Sequence, residues 1–257
     1  MKKIIYSLFT DNVLEHSSVP DYKRNQFKKY KDKIIESQKN YAVLCGAEYK
    51  LFSTDFCDYD LIQFRKIYLL EELAEKYDEI VYFDFDIVPQ TTKNIFESFD
   101  LDNVCAYGIV KKPTSDQMYS RLKNDSWHKM DMYSKTCAKN AMLLLDDIKG
   151  NDEMINTGVI AGNKKSIMSL KFSDRFLQCR NIFEEAKEDN VYPDEISKNW
   201  IHNNEVYISY IIEKYNVPYT NIGLQWNFIL DKSCPIPSAG AHILHHVNKE
   251  FEISFNA

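Results

Sequence analysis

Two carboxylates one residue apart, Asp84 and Asp86, close an apolar run that reads Ile80-Val81-Tyr82-Phe83-Asp84-Phe85-Asp86-Ile87-Val88-Pro89-Gln90-Thr91. Up to Phe83 the run is β-branched and aromatic, as in a central parallel strand covered on both faces, and Pro89 is expected to end further ladder pairing. The two acids then stand at the carboxyl end of a strand, the edge where open α/β sheets bind ligands. In an extended segment residues i and i+2 point to the same side, so both carboxylates can reach one divalent cation and, through it, a diphosphate. Two like charges held together need such a counterion. An Asp-x-Asp triplet is common in ordinary turns; its position directly after a long apolar strand is what favours the metal site.

The elements that must position this pair read as alternating strands and helices. Ile4 to Phe9 is a first strand, ending at the polar turn Thr10-Asp11-Asn12, where a nucleotide base can be met. Asp21 to Tyr41 carries Phe27, Tyr30, Ile34 and Tyr41 at near-helical spacing. Glu48 to Phe52 is a second strand, and Gln63 to Tyr77 an amphipathic helix feeding the strand of the Asp pair. Strand, helix, strand, helix, strand is the signature of a mostly parallel sheet flanked by helices, with right-handed crossovers. Val104 to Val110 reads as another strand. Lys111 to Gly150 has no strand rhythm, only a helical piece from Ser134 to Leu145, and suits a substrate loop or a surface insertion equally. A short strand through Asn156-Thr157-Gly158-Val159 follows, then helices over Ser166 to Phe183 and Asn203 to Tyr215, a strand from Val217 to Ile222, and a last short strand, Ala241 to His246.

With 257 residues the chain fits one large α/β domain. Its net charge of −6, with acids and bases interspersed, leaves no footprint for nucleic acid. The six cysteines lie without any Cys-x-x-Cys pair, as small hydrophobes in a reducing compartment do. The apolar run after Met1-Lys2-Lys3 is short and interrupted by Asp11 and Asn12, and no segment is long enough to span a bilayer, so a soluble, cytoplasmic protein is expected.

Taken in order, Asp84-Phe85-Asp86, Asn156-Thr157-Gly158-Val159, Asn204-Glu205, Leu224-Gln225-Trp226-Asn227 and Ile243-Leu244-His245 resemble the motif series of family 8 and related nucleotide-sugar glycosyltransferases of the GT-A fold. The resemblance covers most of the chain. It implies a single GT-A (Rossmann-like) domain over residues 1–257, with a nucleotide-sugar-binding half at 1–110 and an acceptor-binding half at 111–257. It also implies Mn2+ (or Mg2+) held by Asp84, Asp86 and His245, with Thr10 and Asp11 near the nucleoside and Arg65 near the donor. Asn156 and Glu205 take the catalytic positions facing the sugar. The activity implied is transfer of a hexose from a nucleoside diphosphate sugar, a UDP-sugar by preference, to a glycan or other hydroxyl acceptor with retention. The chain departs from the family in having Asn204-Glu205 where Asp-Gln is usual, and in lacking the glycine and Pro-Trp after the late histidine. His245 and His246 are neighbours in a strand and point to opposite faces, so only one can join a metal; the family register favours His245. Two carboxylates with one imidazole suit manganese better than an all-oxygen calcium cage does.

Two rival functions share these residues. Asp84-Phe85-Asp86-Ile87-Val88 also fits the nucleophile motif of haloacid-dehalogenase-like phosphatases, with Asp84 forming an aspartyl phosphate. That chemistry needs a later lysine and a later acidic pair, for which Asp146-Asp147 is the nearest match. The other rival is a non-catalytic sugar-nucleotide-binding module.

Overall fold

The segment Lys3–Phe9 (β1) is apolar at successive rather than alternate positions, and the computed structural model shows why: Ile4 to Phe9 are all buried, because β1 runs inside a sheet covered on both faces. The structure describes residues 1–10, 19–53, 62–110, 126–189, 193, 194, 196, 197, 199, 203–230 and 238–255. Asp11 and the segment 111–125 lie outside the described residues. On either side of β1 is a parallel neighbour, Glu48–Ser53 (β2) and Glu79–Phe83 (β3), with Ile5 opposite both Tyr49 and Val81. Asp21–Leu44 (α1) and Ile62–Ala74 (α2) are the crossovers. In α1 the buried stripe is Phe27, Tyr30, Ile34, Gln38, Tyr41 and Ala42; the helix runs on past Tyr41 and stops before Gly46, whose φ of 65° is left-handed.

After β3 come Ile87–Pro89 (β4), the short helix Ile95–Ser98 (α3), Val104–Val110 (β5), Ser126–Leu144 (α4) and Glu153–Asn163 (β6). The chain continues through Lys164–Ser169 (α5), Phe172–Glu188 (α6), Asn204–Lys214 (α7), Tyr219–Asn221 (β7), Phe228–Ile229 (β8), Ile243–His245 (β9) and Glu252–Phe255 (α8). The main sheet has six strands in the order β2-β1-β3-β6-β5-β7. Five of them run one way; β6 is antiparallel to both β3 and β5. Side chains alternate between two cores: Ile4, Tyr6, Ile80 and Tyr82 pack under α2, α5, α6 and α7, whereas Ile5, Val81 and Phe83 pack with Tyr41, Ile95, Phe96 and Trp226. The mixed α/β architecture with a mostly parallel sheet is therefore as the sequence implies.

Three local expectations are corrected. Pro89 does not end strand pairing: it lies in β4 opposite Ile243, on the edge of a second sheet ordered β4-β9-β8, a place where a missing N–H is tolerated. The helix expected over Ser166 to Phe183 is two helices, broken where Lys171 takes a φ of 44°. The helix expected from Ser134 begins at Ser126. Among the described residues no helix is long and apolar enough to cross a membrane, and Cys45, Cys105, Cys137 and Cys179 are free thiols.

One buried charge ties the later elements together. Lys139 of α4 has no exposed surface, and its ammonium donates to Glu213 of α7 at 2.7 Å, to the carbonyls of Asn151 and Glu153 at 3.0 Å each, and to Asn151 Oδ1 at 2.8 Å. Burial lowers its pKa, against the pull of Glu213. Removing one partner of such a pair strands the other, so Lys139→Ala is expected to lower the unfolding free energy by about 3 kcal/mol in a denaturant titration. A loss below about 1 kcal/mol would show that the cluster does not hold α4 to α7.

Candidate functional site

The carboxyl end of β3 passes directly into a turn. Asp84 to Asp86 are not extended, which corrects the sequence reading, but bend so that Ile87 N–H donates to the Asp84 carbonyl at 3.0 Å. Two buried groups shape this turn. Phe85 packs on Phe9 and Phe27, ring centroids 4.2 and 5.8 Å away. Gln38 of α1 donates to the carbonyls of Asp84 (3.3 Å) and Ile87 (2.9 Å), while its own oxygen accepts from Ser7 and Tyr49. With the turn so held, β4 enters the second sheet, whose register sets Ile87 opposite His245. That pairing brings a residue from the far end of the sequence to the two acids.

His245 Nε2 lies 3.4 Å from Asp86 Oδ2 and 3.8 Å from Asp84 Oδ2, and one ligand atom from each of the three residues falls within 4.8 Å of the others. The acids differ in setting. Asp84, with its side chain 26% exposed, accepts at Oδ1 from Lys66 Nζ (2.9 Å) and from the Tyr82 hydroxyl (2.5 Å). Asp86 is buried and paired with Lys249, which sits at a left-handed φ of 62°. Burial alone would raise the Asp86 carboxyl, but the charges and hydrogen bonds of Lys249 and His245 outweigh it and hold the group well below the usual carboxylate range.

The remaining walls come from β6 and the polypeptide around Asn227. Between Ala106 and Tyr107 the β5–β6 register shifts, freeing Thr157 and Gly158 from β5; Gly158 then accepts from Asp84 N–H at 2.8 Å, and Thr157 accepts from Lys66 at 3.2 Å. A Cβ on Gly158 would lie 2.5 Å from the His245 ring, so this glycine makes room for the imidazole. His245 Nδ1 meets Asn227 Oδ1 at 2.9 Å, Asn227 Nδ2 donates to Asn156 Oδ1 at 2.6 Å, and Asn156 Nδ2 donates to Glu205 Oε1 at 2.7 Å. Glu205 Oε2 pairs with Lys135 at 2.9 Å. His246 turns away, its Nε2 2.8 Å from Ser254 Oγ, and burial depresses its pKa to about 4.

Two hard carboxylates and one imidazole, converging beside a glycine that leaves space for the ring, fit Mn2+ or Mg2+. Of the residues singled out in the sequence, the structure joins Asp84, Asp86, His245, Asn156 and Glu205 in one connected cluster. Thr10 is buried at the end of β1, next to the Phe9 that packs on Phe85. Arg65 pairs with Glu72 on the partly exposed side of α2; its neighbour Lys66, a buried lysine, is the one that reaches Asp84. Asp146, considered for phosphatase chemistry, is taken up by Lys214 and Tyr210. Sequence reasoning missed Lys66, Lys249 and Gln38. The phase of α2 carries the signal for Lys66, which falls with Leu69, Leu70 and Leu73 on the buried side, but Lys249 and Gln38 have no such mark.

No protein-family model and no curated protein matches the sequence. Solved structures do. A glycosyltransferase involved in glycosylation of the major capsid of PBCV-1 is 14% identical, with 95% of this chain and 93% of that one covered and a TM-score of 0.48. The galactosyltransferase LgtC, solved with donor and acceptor sugar analogues, is 14% identical over 95% of this chain and 87% of its own, with a TM-score of 0.42. Mouse xyloside xylosyltransferase 1 is 10% identical over 96% and 98%, with a TM-score of 0.47.

The tight fit at Gly158 is testable. Gly158→Ala is expected to push the His245 ring aside and weaken Mn2+ binding by about 10- to 100-fold in calorimetric titration, with the fold retained by circular dichroism. Unchanged affinity would mean that His245 takes no part in holding the ion.

Proposed function

We propose that this chain is a metal-dependent glycosyltransferase that moves a hexose from a nucleoside diphosphate sugar, by preference a UDP-sugar, to a hydroxyl of a glycan or similar acceptor. The observation that carries this reading is the convergence of Asp84, Asp86 and His245 at the carboxyl end of β3, where an α/β sheet meets its ligands. Residues of all five sequence motifs that resemble those of family 8 are linked to it, through ligand-atom proximity at Asp84, Asp86 and His245 and through successive hydrogen bonds from His245 to Asn227, Asn156 and Glu205.

Asp84, Asp86 and His245 would hold the cation. When bound, a divalent ion supplies Lewis-acid stabilisation for the negative charge that a nucleoside diphosphate carries as it leaves. In the reaction the bond between the anomeric carbon and the diphosphate oxygen breaks, the acceptor oxygen bonds to that carbon, and the acceptor loses its proton. Lys66 and Lys249 already place positive charge against the two acids. Thr10 and Asp11 are assigned to the nucleoside and the 111–257 half to the acceptor. Asn156 and Glu205 are assigned to the sugar side, with Glu205 held by Lys135.

Asp86→Ala is expected to reduce donor turnover at least 100-fold, and excess chelator to do the same to the wild type, with recovery on adding Mn2+. Turnover that survives both treatments would remove the metal from the mechanism. For an α-linked donor, proton magnetic resonance of the first-formed product is expected to show an α-linkage; a β-linked product would replace retention with direct inverting attack.

A further inference from the structure

The hydrogen bonds from Glu205 to His245 can each be made in only one sense. Glu205 is a carboxylate and only accepts, so Asn156 must turn its NH2 toward it, at 2.7 Å. Independently, the backbone N–H of Gly158 only donates, and it meets the other end of the Asn156 amide at 3.0 Å, which must therefore be the oxygen. Two fixed groups thus agree on the orientation of Asn156. Its oxygen also faces Asn227 at 2.6 Å, so Asn227 must offer its NH2 there and its oxygen to His245 Nδ1, 2.9 Å away. An amide oxygen cannot donate; the proton of the neutral imidazole is on Nδ1. The lone pair is then on Nε2, the atom that faces Asp84 and Asp86. Asn227 has no exposed surface, so water does not replace either of these bonds.

We infer that Glu205 is a positioning residue for the metal centre: acting through Asn156 and Asn227, it fixes the His245 proton on Nδ1 and presents Nε2 as a ligand. This rests on the metal-dependent reading above and adds to it a reason for a carboxylate at position 205. The imidazole of a metal-ligating histidine is commonly oriented by a carboxylate or carbonyl on its other nitrogen. Here the orienting charge is two amides away, with Lys135 neutralising its far oxygen at 2.9 Å. A neutral amide at 205 removes that polarity. Lys135 donates to the side chain at 205, so the amide introduced by Glu205→Gln would turn its oxygen to Lys135 and its NH2 to Asn156, against the sense set by Gly158.

Histidine-selective 15N labelling of the metal-free protein reads the tautomer directly, with His245 assigned from the signal lost in His245→Asn. The wild type is expected to carry the proton on Nδ1. Glu205→Gln should give mixed tautomers and raise the Kd for Mn2+ about tenfold or more, measured by paramagnetic resonance. The double variant Glu205→Gln with Asn227→Asp moves the carboxylate along the chain: the relocated carboxylate accepts from His245 Nδ1, and its bond from a reversed Asn156 offsets the one that reversal costs at Gly158, so the Nδ1 proton should return and Mn2+ affinity rise above that of the single variant. A residue that only supports folding gives no such recovery. A proton on Nε2 in the wild type overturns the inference, as does unchanged tautomer and affinity in Glu205→Gln, or a double variant no better than the single one. Wild-type protein with the Nδ1 proton and the expected tautomers in both variants, but without Mn2+ uptake, supports the relay and overturns the metal-dependent function instead.

Discussion

Everything around the carboxyl end of β3 answers one electrostatic problem, two carboxylates held in a single turn. At a separation of about 4 Å two unit charges interact by about 4 kcal/mol at the effective dielectric of a protein edge, so a turn carrying both is unfavourable without cations close by. Lys66 meets Asp84 and Lys249 meets Asp86, each from an element that the turn itself does not touch in sequence. Neither lysine is a surface ornament: Lys66 is buried, anchored also by the Thr157 carbonyl and lying over the Tyr82 ring at 5.1 Å.

The fold delivers these groups by using two sheets. The main sheet supplies a rigid strand end, and the small sheet folds β9 back alongside β4, so that His245 stands opposite the residue immediately following Asp86. Between the sheets the turn could flex, and it is at this joint that apolar and polar clamps meet. Phe85 is fixed in an aromatic cluster with Phe9, Phe27 and Phe251, while Gln38 satisfies backbone carbonyls that no strand partner reaches. A buried amide is tolerable there because its donors and acceptor are all used.

Much of this was legible in the sequence because it is periodic or local. The buried strands read as unbroken apolar runs, α1 and α2 as apolar stripes, and the Asp pair as the end of a strand. On α2, Arg65 and Lys66 are adjacent cations, and only the helical phase sets Lys66 on the buried side. Pairing in the small sheet was not legible, since strands of two or three residues carry no period, and neither was the turn at Asp84 to Asp86, because a hydrogen bond between Ile87 and Asp84 leaves no mark in residue types. The carboxylate at 205 was visible as a departure from the amide usual in family 8, but its partners, spread from Lys135 to His245, are brought together only by tertiary structure.

The two acids end up unequal, and the inequality bears on how tightly an ion can be held. Asp84 spends Oδ1 on Lys66 and Tyr82 and keeps Oδ2 toward His245. Asp86, buried, turns the same oxygen, Oδ2, to both Lys249 and His245. A divalent ion entering here meets a ready lone pair from Asp84 but competes with an ammonium for Asp86. What the ion would gain at Asp86 is therefore a difference between two cations' attractions for one oxygen, smaller than the ion's own attraction. Burial sharpens that competition, because in a low-dielectric pocket neither cation is screened and the loser must find another anion or solvent. On the proposed reading, an ion would be held here only where its double charge outweighs the contact that Lys249 already makes to Asp86.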